Sequence, residues 1–371
     1  MMNDSLHMLN TLQSENRWRN DASERTSPIQ LSAINPAIYP DWNELVMTAP
    51  DYTLFHSSNW AQVLIDTYGY RPCYFANVER HHLNALLPLM EVKSALTGVR
   101  GSALPFADYC QPIINSDINF QLMFDEVLAY GVRYGWKHIE IKGRGEANFD
   151  YPSETFIRHV LALSGGEEAV ASGLRSNYRR KLKSARKQNV QVEILQTEAA
   201  METYYDLHCL TRKRHGLPPQ PIQFFRNIHR HLMSKDFGYI VTATYKGRPA
   251  ASVVCFRFGE KVIYKFGASN PGLMKTNANF LVMWHAIKHA IDNNCTEFCF
   301  GRTEQTNVGL QQFKDGWGAS QETANYYKYD LRKNAFSRGK KETEKPGNII
   351  FRMLPMAVSR LTGSILYRHM G

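Results

Sequence analysis

Between Phe298 and Gly318 the chain reads Phe-Cys-Phe-Gly-Arg-Thr-Glu-Gln-Thr-Asn-Val-Gly-Leu-Gln-Gln-Phe-Lys-Asp-Gly-Trp-Gly. The pattern predicts a short aromatic strand ending at Gly301-Arg302, a polar turn, and a brief helix that closes on Phe313-Lys314. A lysine delivered to the carboxyl end of a buried strand is a fixed positive charge. It suits a phosphate, or the oxyanion that develops when a carbonyl is attacked. Lys314 is therefore the first catalytic candidate, with Phe313 as its packing partner and Arg302 as a further cation for substrate.

A second constellation lies upstream. Leu174 to Lys187 carries seven basic residues and no acid. Helical spacing puts Leu174, Tyr178, Leu182 and Ala185 on one face and Arg175, Arg179, Lys183 and Arg186 on an adjoining one. Like charges so close repel one another, and an anionic ligand relieves that cost. Arg175, Arg179 and Lys183 are accordingly assigned to phosphates of a donor or of a diphosphate-linked acceptor. Two carboxylates, Asp108 in Pro105-Phe106-Ala107-Asp108-Tyr109 and Glu304 just past Arg302, are candidate bases. No serine, cysteine or histidine constellation signals a covalent intermediate. Direct attack on an activated acyl group needs only a placed acceptor, a proton acceptor and donors for the oxyanion. No metal site is expected, because the six cysteines lack any Cys-x-x-Cys spacing, and His285 and His289, four apart, have no evident third ligand.

Elements that could position these groups follow the same order twice. In the first half Ser57 or Ser58 caps a helix through Trp60 and Tyr68, strands Cys73–Glu79 and Leu83–Val92 form a hairpin, and a loop spans Gly98–Ile114. Helix Phe120–Tyr134 then leads to strand His138–Ile141 and Gly143-Arg144. The second half runs through helices Glu198–His215 and Ile222–Ser234, strands Tyr239–Tyr245, Ala250–Phe258 and Lys261–Gly267, a loop, helix Phe280–Asp292 and strand Thr296–Phe300 before Gly301-Arg302. This repetition predicts an α/β (α+β) protein built by internal duplication. The expected division is a disordered tail at 1–34, domains at 35–165 and 166–335, and a basic linker with an amphipathic helix at 336–371. The net charge of +10 resides in two patches of +7 each, at 175–187 and 332–371, on a body of −4. Localised anionic partners fit that distribution better than general adhesion. No apolar run is long enough to span a bilayer and the start is unlike a secretory signal, so the expected location is the cytoplasm. Ile349, Ile350, Phe351, Leu354, Leu361, Ile365 and Leu366, interspersed with Arg352, Arg360 and Arg368, are compatible with peripheral contact through 348–370 with the inner face of the membrane, although packing of this helix onto its own domain is the commoner outcome for such a pattern.

Several of these motifs resemble FemAB-type proteins of the GNAT acyltransferase superfamily. Asn177–Lys187 followed by Gln188-Asn189-Val190 is similar to their N-x-R-x-K-x-x-K-A-x-K-x-G-V stretch, with Asn189 where glycine is usual. Gly247–Ser269, containing Tyr264-Lys265-Phe266-Gly267, together with Phe300-Gly301-Arg302 and Phe313-Lys314-x-Gly-Trp-Gly, resembles the rest of that core, and Pro105–Tyr109 resembles a loop of the donor half. Phe351–Arg368 is similar to the end of an exopolysaccharide-associated branch. The likeness spans about residues 50–370. It implies two tandem GNAT-like domains with mixed, largely antiparallel sheets, and transfer of an acyl or aminoacyl group to an amine or hydroxyl. It also adds Tyr264 to the substrate-binding candidates. No tightly bound cofactor is implied. The donor would be acyl-CoA, acyl-carrier protein or aminoacyl-tRNA, and the acceptor a polysaccharide, a peptidoglycan precursor or another amine or hydroxyl. Aminoacyl-tRNA is the less favoured donor, because no coiled-coil insertion lies between Val190 and Tyr239. Asn270–Asn279 lacks the Arg/Gln-x-x-Gly-x-Gly/Ala cradle for pyrophosphate, so a standard CoA site in the second domain is not expected. The alternative reading is a non-catalytic basic module binding RNA or anionic lipid.

Overall fold

The computed structural model of the chain describes residues 31–114, 120–143, 149, 151–339 and 349–371. Residues 1–30 of the expected tail, and Arg144, lie outside the described residues. Order begins earlier than the sequence suggests, with a strand at Ser32–Ile34 that pairs with Tyr74–Ala76.

Fourteen strands form one sheet among the described residues. They are β1 (Ser32–Ile34), β2 (Arg71–Glu79), β3 (His82–Ser94), β4 (Gly98–Ser102), β5 (Ile113–Ile114), β6 (His138–Gly143) and β7 (Glu154–Ala162), then β8 (Gln191–Leu195), β9 (Gly238–Tyr245), β10 (Arg248–Phe258), β11 (Lys261–Ser269), β12 (Glu297–Glu304), β13 (Ser320–Asp330) and β14 (Ala335–Phe336). The strand order is β1-β2-β3-β4-β6-β13-β7-β12-β11-β10-β9-β8, with β5 on β3 and β14 on β13. The expected pair of sheets is therefore continuous.

The repeat seen in the sequence is a repeat of connection. In each half two helices separate the first strand from an antiparallel run of three, and a long helix then crosses to a parallel neighbour. The crossover helices are Phe120–Arg133 and Ala278–Asp292, and the resulting parallel pairs are β4 with β6 and β11 with β12. Local chemistry explains the boundaries. Ser57 accepts from the Trp60 N–H at 3.1 Å to cap helix Ser58–Tyr68, and Gly69 ends it in a left-handed conformation. Helix Ile222–His231 stops three residues short of the expected Ser234, and a 3-10 turn follows at Met233–Lys235. The expected loop at Gly98–Ile114 includes β4 and β5.

The last strand of each half pairs with the other half. β7 follows β6 in sequence but pairs with β12, while β13 follows β12 but pairs with β6. β7 and β13 also pair with each other at the centre. Buried Arg158 on β7 braces this junction: Nη2 contacts Glu297 on β12 at 2.5 Å, Nη1 contacts Glu322 on β13 at 2.7 Å, and the guanidinium lies 4.8 Å from the Tyr109 ring centre. On one face of the sheet the paired helices of both halves share a core, where Trp60 meets Phe224 at 6.0 Å and Asn227 donates to Thr67 Oγ1 at 2.9 Å. Each half adds a core of its own on the far face.

Because each half completes its sheet with a strand from the other, unfolding should be a single transition. Urea titrations followed by circular dichroism and by tryptophan fluorescence are expected to coincide, and residues 31–165 expressed alone should not fold. Two separated transitions would contradict the exchange.

Candidate active site

β11 and β12 run parallel only where Lys261–Ile263 faces Glu297–Cys299. Past Cys299 the register of β12 shifts, Gly301 adopts φ 69°, and the strand continues against β7. Into the fork so opened comes the 104–109 loop of the first half. A Cβ on Gly301 would stand 2.7 Å from Asp108 Oδ2, so glycine is required both by the backbone and by this approach.

The loop itself is strained and held. Leu104 and Phe106 have φ of 38° and 63° without being glycine, conformations that cost on the order of 1–3 kcal/mol each and persist only where the surroundings fix them. Lys142 Nζ donates to the carbonyls of Leu104 (3.0 Å) and Ala107 (3.1 Å), and Tyr326 Oη donates to that of Asp108 at 2.7 Å. At the loop's exit the Thr53 N–H donates to His56 Nδ1 at 3.0 Å, so the proton sits on Nε2 and is donated to the Gln111 carbonyl at 2.9 Å. Burial keeps that imidazole neutral, its pKa pushed down to about 4. Phe106 packs on Tyr68 and Phe224.

Three cations, Lys265, Lys314 and Arg302, act on the Asp108 carboxylate, and a fourth, Lys142, holds the loop that carries it. Lys265 Nζ on β11 donates to Oδ1 at 2.8 Å. Lys314, in the last turn of helix Val308–Asp315, is 2 % exposed and donates to the carbonyls of Gly301 (3.1 Å) and Arg302 (3.0 Å). Arg302 stacks over the rings of Phe156 (4.1 Å) and Tyr326 (4.9 Å). Lys142 is buried with its Nζ 5.2 Å from the Tyr326 ring centre. Burial lowers the Lys314 pKa to about 8, against the pull of Asp108 and with Lys265 and Arg302 adding to the fall. Burial and the Arg302 charge lower Lys142 to about 7. Lys265 is lowered by burial too, with Asp108 acting in the other direction. A group of buried ammoniums whose directly paired carboxylate is Asp108 favours an incoming anion.

Of the residues singled out from sequence, the structure joins Lys314, Asp108 and Arg302 here. Glu304 lies at the exposed end of β12, close enough to Arg302 to act on its charge. Phe313 and Tyr264 do not face the carboxylate. Adjacent residues on a helix or strand point to different sides, and these two belong to the second half's far core. Phe313 packs there with Tyr178, Phe280 and Trp317, and Tyr264 with Phe300. Phe313 anchors the helix that carries Lys314 instead of accompanying its amine. The basic helix Ser176–Lys187 is also elsewhere. Arg175 Nη1 donates to the Gln312 carbonyl at 3.3 Å, whereas Arg179 and Lys183 line a separate groove with Arg186, Lys187, Leu182 and Trp284. Sequence reasoning missed Lys142, Lys265 and Tyr326. The available signal was a lysine inside an apolar strand, as in Ile141-Lys142-Gly143 and Tyr264-Lys265-Phe266.

This fork falls within a recognisable unit, since residues 172–315 match the family described as Acetyltransferase (GNAT) domain. The second half carries a GNAT-type domain. Across the two halves the fold is shared with the crystal structure of FemX at a TM-score of 0.67, with 13% identity over 82% of this chain and 98% of that one. A tandem GNAT protein from the clavulanic acid biosynthesis pathway superposes at 0.51, with 8% identity over 81% of this chain and 98% of that one. The C-terminal domain of a putative lysylphosphatidylglycerol synthetase from Agrobacterium fabrum gives 0.50, with 9% identity over 76% and 90%. At such identities the likeness is one of fold. No curated protein matches the sequence. The Asp108 carboxylate therefore reaches the unit matched at residues 172–315 from the other half of a fold shared with FemX.

Replacing Asp108 by asparagine leaves Lys265 buried without its counter-charge. Urea denaturation should show a loss of roughly 3 kcal/mol, part of which D108N/K265M regains. Unchanged stability of D108N would contradict a desolvated pair.

Proposed function

We propose that this protein is an acyltransferase that moves an acyl or aminoacyl group from an activated donor directly onto an amine or hydroxyl of a cell-envelope or exopolysaccharide precursor. The observation that carries the reading is the fork of the GNAT-type domain, where Lys265, Arg302 and Lys314 gather about Asp108 and Lys142 holds the loop behind it. Acyl transfer passes through a tetrahedral oxyanion, and preorganised cations in a water-poor site stabilise such charge where it develops. Lys314 already gives two of its three N–H bonds to backbone carbonyls, which fix its ammonium in place and leave one for the oxyanion or a donor phosphate.

In this scheme the acceptor nitrogen or oxygen attacks the donor carbonyl carbon and a new C–N or C–O bond forms. Its proton passes to the Asp108 carboxylate, with Glu304 as the second candidate base. Collapse of the intermediate breaks the bond to the leaving group, a thiolate from an acyl-CoA or acyl-carrier protein, or a ribose oxygen from an aminoacyl-tRNA. That group departs with the bonding electrons and takes up the proton. The exposed groove of Arg179, Lys183, Arg186 and Lys187 is assigned to donor phosphates, with Leu182 and Trp284 forming its apolar floor. The same groove supports the second reading, a module that binds RNA or anionic lipid without chemistry.

The test is transfer measured against acyl-CoA, acyl-carrier protein and aminoacyl-tRNA, beginning from the donor retained in native mass spectrometry. Lys314→Ala should lower the rate about 10²–10³-fold. Since the Lys314 charge is lost as pH rises through about 8, the wild-type rate should fall above that pH, and Lys314→Arg should carry activity to higher pH. An unaffected Lys314→Ala variant sinks the assignment. Salt-sensitive RNA binding that persists in this variant, without transfer from any donor, would favour the binding module.

A further inference from the structure

The C-terminal segment is built inside out. Helix Met356–Leu366 turns Ser359 and Gly363 towards the protein, followed one turn later by Tyr367. A Cβ on Gly363 would lie 1.9 Å from the Pro219 carbonyl oxygen, so the close approach depends on the missing side chain. The large aliphatic residues point the other way. Leu361 is 63% exposed and Ile365 55%, and Ile349, Ile350 and Met353 continue the stripe on the preceding helix Ile349–Met353, at 69%, 59% and 79%. A surface helix of a water-soluble protein ordinarily has the opposite orientation.

This segment is fixed in place. Arg360 pairs with Asp206 at 2.8 Å, Arg212 donates to Tyr367 Oη at 2.6 Å, Tyr70 Oη donates to the Arg368 carbonyl at 3.0 Å, and Arg100 donates to that of His369 at 3.1 Å. The exposed stripe is therefore a held surface, and an apolar patch of this kind marks a docking site. Charge decides what kind. From Ile349 to Gly371 there are three arginines and no aspartate, glutamate or lysine. Arg352 and Arg368 are exposed beside the stripe, and both helices pack on Glu198–Arg214, whose last turn adds Lys213 and Arg214. In a two-fold contact with a second copy this segment, which has no acid of its own and whose neighbouring Asp206 is already paired with Arg360, would set Arg352 and Arg368 against arginine. An anionic surface with an apolar interior satisfies both features at once. No helix among the described residues is long and apolar enough to cross a membrane, so the segment can only lie along one.

We infer that the face formed by Ile349, Ile350, Met353, Leu361 and Ile365, flanked by Arg352 and Arg368, docks this protein on an anionic phospholipid bilayer. The aliphatic side chains enter the headgroup boundary and the arginines meet lipid phosphates. This inference stands apart from the acyl-transfer reading, since no residue of the fork takes part.

The experiment is cosedimentation of the full chain with vesicles of phosphatidylglycerol and phosphatidylcholine, against phosphatidylcholine alone, with sedimentation velocity on the protein without lipid. Binding should require the anionic lipid. L361E/I365E, at exposed positions, should abolish it with an unchanged melting temperature, and R352Q/R368Q should weaken it roughly thirtyfold. As a measurement that leaves the face apolar, the indole introduced by Leu361→Trp should shift its fluorescence to the blue on adding anionic vesicles. No binding by the wild type, equal binding by L361E/I365E, indifference to lipid charge, or an unshifted indole signal would each overturn the inference. So would a dimer in the absence of lipid that L361E/I365E dissolves, because the stripe would then belong to a second copy.

Discussion

The fork between β11 and β12 is filled from outside its own half, and the rest of the site depends on that insertion. A loop of the first half carries Asp108 to within hydrogen-bonding distance of Lys265, which otherwise would sit in an apolar strand with no partner. Either charge alone would be strongly destabilising in so dry a place. The pair makes Gly301 obligatory, because any larger residue would collide with the carboxylate. It also explains why Leu104 and Phe106 tolerate left-handed backbone, since Lys142, Tyr326 and His56 together hold the carbonyls around them.

Strand exchange supplies the rigidity this arrangement needs. β13 brings Tyr326 from the far end of the chain to the Asp108 carbonyl, and β7 brings Arg158 between two acidic partners and beneath Tyr109. Asp108 and the lysines Lys265 and Lys314 thus belong to different halves, joined by one continuous sheet. The halves repeat each other in connection but not in chemistry. After β6 the first half has no counterpart of Phe313-Lys314-x-Gly-Trp-Gly, and its buried lysine, Lys142, bonds the loop that leaves for the other half.

Much of this is legible in the chain and some is not. Periodicity and caps locate nearly every long helix and hairpin strand, because those signals are local: Ser57 before Trp60, Gly69 after Tyr68, and the apolar and β-branched run through Tyr239–Tyr245. The exchanged strands escape such reasoning, since their partners lie more than a hundred residues away and Ser320–Asp330 carries a mixed, half-exposed pattern. At the site, Lys314 and Asp108 stand out through the turn residues around them. Lys265 does not, because a lysine within a strand reads as solvent-facing until a carboxylate from elsewhere in the chain is known to meet it. Phe313 and Tyr264, next in sequence to Lys314 and Lys265, fall on another side of their elements and pack in the far core.

Buried ammoniums are held at this fork in readiness for an anion. A lysine whose pKa falls on folding is bound to fewer protons than its unfolded counterpart between the two values. For Lys314 stability accordingly rises with pH from about 8 towards the ordinary lysine value near 10.4, and an anion that binds the charged form pulls the pKa back up. The most direct measurement is a heteronuclear NMR titration of the lysine ε-positions, assigned through K142M and K314M. Lys142 should titrate near 7 and Lys314 near 8, both moving upward when the anionic donor binds. Ordinary values for both, unmoved by that donor, would contradict this.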